Sequence, residues 1–187
     1  MDSSNQLRMM VYAALFAALT AVGAFLSIPV GPVPIVLQNM FVYLTALLLG
    51  GRWGLASVGV YLLAGACGLP VFAGGLGGVG RLIGPTGGYL IGYLPTVYLI
   101  GKIAHKDHPR VFTDVLAMIC GTVVLYTCGV TWLKIITGMP LMKALALGMF
   151  PFLIGDAIKI AAAAAIGRAL RPVVGVAGYE ARVASSD

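Results

Sequence analysis

Residues 9–28 read MMVYAALFAALTAVGAFLSI, twenty consecutive positions without one charged side chain. A helix satisfies its own backbone hydrogen bonds in lipid, and about 20 apolar residues carry it across the hydrocarbon core. The stretch therefore reads as a transmembrane helix. Similar apolar runs recur at about 35–50, 55–72, 88–104, 111–135 and 147–170, separated by Gly, Pro or charged residues. The second and third are joined only by Gly50, Gly51, Arg52, Trp53 and Gly54, which predicts a helical hairpin. The expected fold is an all-α membrane protein of six transmembrane helices, with residues 1–187 as a single integral membrane domain.

Composition agrees with that reading. Of the 187 residues, 60% are apolar and 10% charged, against roughly a quarter charged in soluble domains. Cys67, Cys120 and Cys128 show neither CxxC nor Cys/His spacing, so no disulfide and no metal site is expected. Met1 to Arg8 is short and polar, and the first apolar run lacks a small-residue cleavage site, so it reads as a retained helix. The net charge of +6 forms no basic stripe with interleaved aromatics, which argues against a nucleic-acid partner.

Positive charge is retained on the cytoplasmic side of a membrane protein. With the N-terminus inside, the inner segments carry Arg8, Arg52, Lys102, Lys106, Arg110, Arg168, Arg171 and Arg182. The outer loops carry Arg81, Lys134 and Lys143, and Lys159 falls within a span. Both termini are therefore expected in the cytoplasm. The inner loop with His105, Asp107 and His108 reads as a solvated turn. Outside lie Pro29 to Pro34, Phe72 to Gly87, and about Thr137 to Ala146.

Two charges sit inside the sixth span, in Gly155-Asp156-Ala157-Ile158-Lys159. Each costs about 2.5 to 3.5 kcal/mol at the bilayer centre, so something must offset them. Spaced i and i+3, they share a helix face and can meet each other or line one cavity. The outer loop contains Gly75, Gly77 and Gly80 in GxGxxG order, but no strand precedes them and no acidic residue follows before Asp107, so the match is accidental. No GK[ST] phosphate loop occurs, so energy for any transport must come from elsewhere.

Arg81 is the one charge in that loop, and its planar guanidinium suits either a ligand carboxylate or lipid phosphate. Gln38 and Asn39 open the second span, with Tyr43 one turn on. Their amides can serve a ligand or a helix end. Tyr89 and Trp132 can stack on a ring, with the interfacial aromatic belt the plainer role for Trp132. In the first span, Ala13/Ala17 and Ala14/Ala18 make two small-xxx-small pairs that permit close helix packing within the chain or with a partner. An intramembrane enzyme using Asp156 would need a second catalytic group, and no such carboxylate, His or Ser motif is read in the apolar runs.

With these residues assembled, the chain resembles the BioY family, the biotin-specific substrate-binding (S) components of energy-coupling factor (ECF) transporters. The most specific part is Gly84-Pro85-Thr86-Gly87-Gly88-Tyr89 with the Arg81 segment before it, supported by the Asp156–Lys159 run and the Ala-rich first helix. The resemblance implies the ECF S-component fold in a bacterial inner membrane, outer loops covering a biotin site, and no cofactor. It implies a transmembrane scaffold protein and two ABC-type ATPases as partners, besides membrane lipid, and leaves room for a homo-oligomer. In the family, alanines spaced four apart on the first helix face the scaffold, which either alanine register matches. Asp156 would accept from the ureido N–H groups, and Lys159 or Asn39 would donate to its carbonyl. Arg81 would hold the carboxylate, with Tyr43, Tyr89 and Leu82 as walls and Gln38 nearby. The opposite polarity, with Lys159 on the carboxylate, stays open, as does thiamin or riboflavin as the ligand.

Overall fold

The computed structural model describes residues 3–29, 32–104 and 110–183, with side chains described as far as Val174. Lys106, the His105, Asp107 and His108 turn, and Val30 and Gly31 of the first outer loop lie outside the described residues, as does the side chain of Arg182.

Helix α1 spans Ser3–Phe25 and leads into a hairpin of two short antiparallel strands, β1 (Ser27–Ile28) and β2 (Ile35–Val36). Helix α2 follows over Gln38–Ala66 and is interrupted at Gly50, whose φ of 74° and ψ of −179° suit glycine alone. A Cβ placed on Gly54 would lie 3.9 Å from Ala46 Cα and Thr45 Cγ2. Along a straight helix those positions stand about 12 Å apart, so the chain reverses at Gly50. The two arms are the hairpin expected from the sequence. Its turn is tighter than expected, since Arg52 and Trp53 already belong to the returning arm.

Beyond α2, residues 67–86 form a loop that includes the short helix α3 (Val79–Ile83). Helix α4 (Gly87–Ala104) lies between α2 and α5 (Val111–Thr137). The α4 C-terminus rests on the hairpin tip, where a Cβ on Gly101 would collide with Gly50 and Gly51. The segment expected as an outer loop at 137–146 instead holds helix α6 (Leu141–Gly148), followed by a 3-10 turn (Phe150–Phe152). Helix α7 then begins at Leu153, later than the expected 147, and continues to Val183.

Four segments are long and apolar enough to cross a membrane: α1, α2, α5 and Leu141–Val174. Counting α2 as two passes and adding α4, whose three tyrosines and Lys102 lower its apolarity, gives six. Phe112, Ile154 and Ile158 are each more than 60% exposed around the bundle, at 78%, 78% and 66%. Such an apolar exterior is a hydrocarbon-facing surface. The start of α1 and the end of α7 share one pole with exposed Arg8, Arg52, Lys102, Arg110 and Arg168, while Arg81, Lys134 and Lys143 lie at the other.

Candidate functional site

A cavity of about 350 Å³ opens at the pole bearing Arg81. It is bounded by the β1–β2 segment, the loop around Phe72 to Leu76, helices α4 and α5, and the start of α7. Most of its wall is apolar, including Val33, Phe72, Leu90, Leu125 and Phe152.

The floor is polar and charged. Asp156 occupies the first turn of α7, where the helix dipole favours a carboxylate, and is 2% exposed. Its Oδ1 accepts from Lys159 Nζ at 2.8 Å and its Oδ2 from the Tyr126 hydroxyl at 2.6 Å. Asn39 Nδ2 approaches both oxygens at 3.4 Å, and Asn39 Oδ1 accepts from the Tyr93 hydroxyl at 2.5 Å. The two buried charges neutralise each other, which is the condition for keeping them in an apolar interior. The Asp156 carboxylate is thus engaged on both oxygens, a state suited to holding position and not to abstracting a proton. Lys159 has three N–H groups and, among the described residues, one acceptor.

Arg81 stands on α3 at the cavity mouth, exposed, its guanidinium without a hydrogen bond or ion pair among the described residues. The segment behind it is fastened by Trp132, whose Nε1 donates to Gly84 O at 2.9 Å. Trp132 therefore ties α5 to the loop, a role its reading as a belt residue does not contain. Gly87 and Gly88 let this turn lie against the Leu82 carbonyl and the Trp132 side chain, with no room for a Cβ. Tyr89 lays its ring on Gly129 and donates to Gly148 O at 2.6 Å, which ties α4 to the end of α6.

Of the residues singled out from the sequence, the cavity brings together Gln38, Asn39, Arg81, Tyr89, Asp156 and Lys159. Tyr43 and Leu82 lie outside its lining. Tyr43 is fully buried and shares a 2.7 Å hydrogen bond with Thr122, while Leu82 supports the loop from behind. Phe72 and Thr86 line it from the loop expected to cover the site, while Tyr93, Tyr126 and Phe152 line it without having been anticipated. Tyr93 had a signal, since it stands one helical turn from Tyr89 on the same face.

One reading is corrected. A second buried carboxylate does occur in the apolar runs: Asp114, 3% exposed in the first turn of α5. Arg171 holds it at the pole opposite the cavity, so it is no catalytic companion for Asp156. Of the alanines, Ala13 and Ala17 are buried at 5% and 6%, whereas Ala14 and Ala18 are exposed on the outer face of α1.

A family model described as the BioY family matches residues 1–176. A biotin transporter BioY of Thermotoga maritima is 42% identical over 166 residues, covering 88% of this chain and 96% of that protein. A probable biotin transporter BioY of Pyrococcus horikoshii is 40% identical over 158 residues, covering 84% and 93%. Among solved structures, the S-component for biotin from an ECF-type ABC transporter superposes with a TM-score of 0.84 at 35% identity, covering 92% of this chain and 95% of that one.

Proposed function

The chain belongs to the BioY family, and from that premise we propose that it is the biotin-binding S component of an ECF-type ABC transporter. It is a transport protein and not an enzyme. The observation that carries the reading is the cavity's polarity: a neutralised Asp156–Lys159 pair at an otherwise hydrogen-bonding floor, apolar walls, and the Arg81 guanidinium at the mouth. Biotin has matching parts in that order, with a neutral ureido ring, a thioether ring, and a carboxylate on a flexible chain.

In this reading the ureido group sits against Lys159, Asn39, Gln38 and Asp156, and Arg81 takes the carboxylate bidentately. Placing the carboxylate at the floor would bury a second negative charge beside Asp156, while Arg81 would be left with nothing to bind. Tyr89 and Tyr93 flank the ring. The protein is one membrane domain in the bacterial inner membrane with both termini cytoplasmic, following its positive charge. With no phosphate loop of its own, it depends on a scaffold protein and two ATPases for energy. The exposed Ala14/Ala18 register is the face we assign to the scaffold, because small outward side chains let a partner helix approach closely.

Equilibrium binding of labelled biotin to the purified protein, with thiamin and riboflavin as competitors, tests the proposal. Saturable biotin binding that neither competitor displaces is expected. Absence of binding, or displacement by either vitamin, would overturn it.

A further inference from the structure

The returning arm of α2 ends against the loop that bounds the cavity, and a residue without a side chain makes the contact. Gly65 is buried there, and a Cβ added to it would collide with three carbons of the Phe72 ring, Cε1, Cζ and Cε2. Phe72 therefore covers Gly65 on one side and lines the cavity on another. A third side is taken by the Tyr61 ring, met edge-on with centroids 5.6 Å apart and planes at 78°. The Phe72 side chain is 2% exposed, so each of its neighbours limits where it can go.

Backbone hydrogen bonds keep the loop from lifting away. The Gly65 carbonyl accepts from Gly68 N at 3.1 Å and from Gly78 N at 2.7 Å, which ties both ends of the segment carrying Phe72 to one oxygen. Between those ties, Phe72 N donates to Leu76 O at 2.8 Å and Phe72 O accepts from Gly75 N at 3.0 Å, a closed turn that fixes where the side chain starts. Gly78 in turn caps α3, the helix that bears Arg81. Carbon atoms in contact rest about 3.5–4.0 Å apart, so a methyl group at position 65 would drive the ring back by about 1 Å or more. With the turn pinned and Tyr61 in the way, the direction left open is the cavity.

We propose that Gly65 is a positioning residue that sets the width of the cavity at the Phe72 wall, and so selects for a ligand with a second ring fused to the ureido ring. This rests on the biotin reading above, in which the thioether ring lies between the polar floor and Arg81. The missing side chain is the space into which Phe72 withdraws to admit that ring.

The test compares biotin with desthiobiotin, which keeps the ureido ring and the carboxylate chain but lacks the sulfur and with it the second ring, on the purified full chain. Gly65→Ala should lower biotin affinity by about tenfold or more and desthiobiotin affinity by no more than about threefold, a change in ratio that general loosening would not produce. Leucine lacks all three ring carbons of the collision. Adding Phe72→Leu to Gly65→Ala should therefore return the ratio to within about twofold of that of Phe72→Leu alone. Should Gly65→Ala fail to fold, the double variant is expected to fold and bind, because the obstruction is gone. With wild-type biotin binding intact, equal losses for the two ligands, a ratio that Phe72→Leu does not restore, or a double variant that stays unfolded when Gly65→Ala does would each overturn this inference alone. Wild-type protein that binds no biotin overturns the biotin reading instead.

Discussion

Arg171 grips Asp114 with two parallel hydrogen bonds, Nη1 to Oδ2 and Nη2 to Oδ1, both 2.8 Å, and so joins α7 to α5 at the pole opposite the cavity. The carboxylate side chain is 4% exposed and the guanidinium 20%. That asymmetry decides the cost of breaking the pair. Arg171→Ala strands a buried carboxylate and should lower stability by about 2–3 kcal/mol. Asp114→Asn leaves an arginine that can reach the interface, and should cost about 1 kcal/mol or less. Denaturant titration in detergent should show this order with biotin affinity unchanged in both. The reverse order would show that Asp114 is not the buried member in solution.

At the floor, Asp156 and Lys159 depend on each other unequally. Asp156→Asn leaves the ammonium buried with no countercharge, at a cost of about 3 kcal/mol. Lys159→Gln leaves a carboxylate still receiving Tyr126 and Asn39, and should cost about 1–2 kcal/mol. The double variant should be more stable than the sum of the two, by about 1 kcal/mol or more. Additive losses in a double-mutant cycle would mean that the 2.8 Å contact contributes no coupling.

The sequence discloses these features to different degrees, for physical reasons. Charges inside an apolar run are conspicuous because lipid offers them no hydration, so Asp156 and Lys159 stand out. Asp114 does not, because a carboxylate near the end of a run looks like a loop residue until Arg171 is brought to it from a distant helix. Tyr93 and Tyr126 are similarly quiet: tyrosine is common in membrane helices, and only tertiary contact aims their hydroxyls at Asn39 and Asp156. Tyr43, one turn from Asn39, looks equally placed for the cavity, but α5 draws its hydroxyl to Thr122. Helix α6 escapes notice because it is only eight residues long, carries Lys143 and lies between Pro140 and Pro151, so the segment reads as a loop.

The two alanine registers of α1 should separate cleanly. Ala14→Leu with Ala18→Leu adds bulk to an exposed face and should leave stability and biotin binding intact while abolishing partner-dependent uptake. Ala13→Leu with Ala17→Leu overpacks a buried face and should cost about 1–3 kcal/mol per site before any partner is involved. Uptake in cells, read beside thermal midpoints of the purified variants, distinguishes them. Full uptake with the Ala14/Ala18 variant would show that the scaffold docks elsewhere.

Gly50 determines whether the α2 arms can meet at all. Its φ of 74° with ψ near 180° is a conformation that a Cβ disfavours strongly, so Gly50→Ala should destabilise the fold by about 1–3 kcal/mol. Gly59 is the fitting control: it lies within the returning arm, and a Cβ there would meet nothing within 4 Å. Gly59→Ala should be neutral or stabilising by up to about 1 kcal/mol, since it only stiffens the unfolded chain and favours helix. The first arm of the hairpin also carries Gln38 and Asn39 of the cavity lining, so strain at the tip should reach the cavity. Gly50→Ala is therefore expected to weaken biotin binding severalfold, while Gly59→Ala leaves it unchanged. Equal thermal midpoints for the two variants would mean that the reversal does not require a left-handed residue, and the hairpin would need another origin.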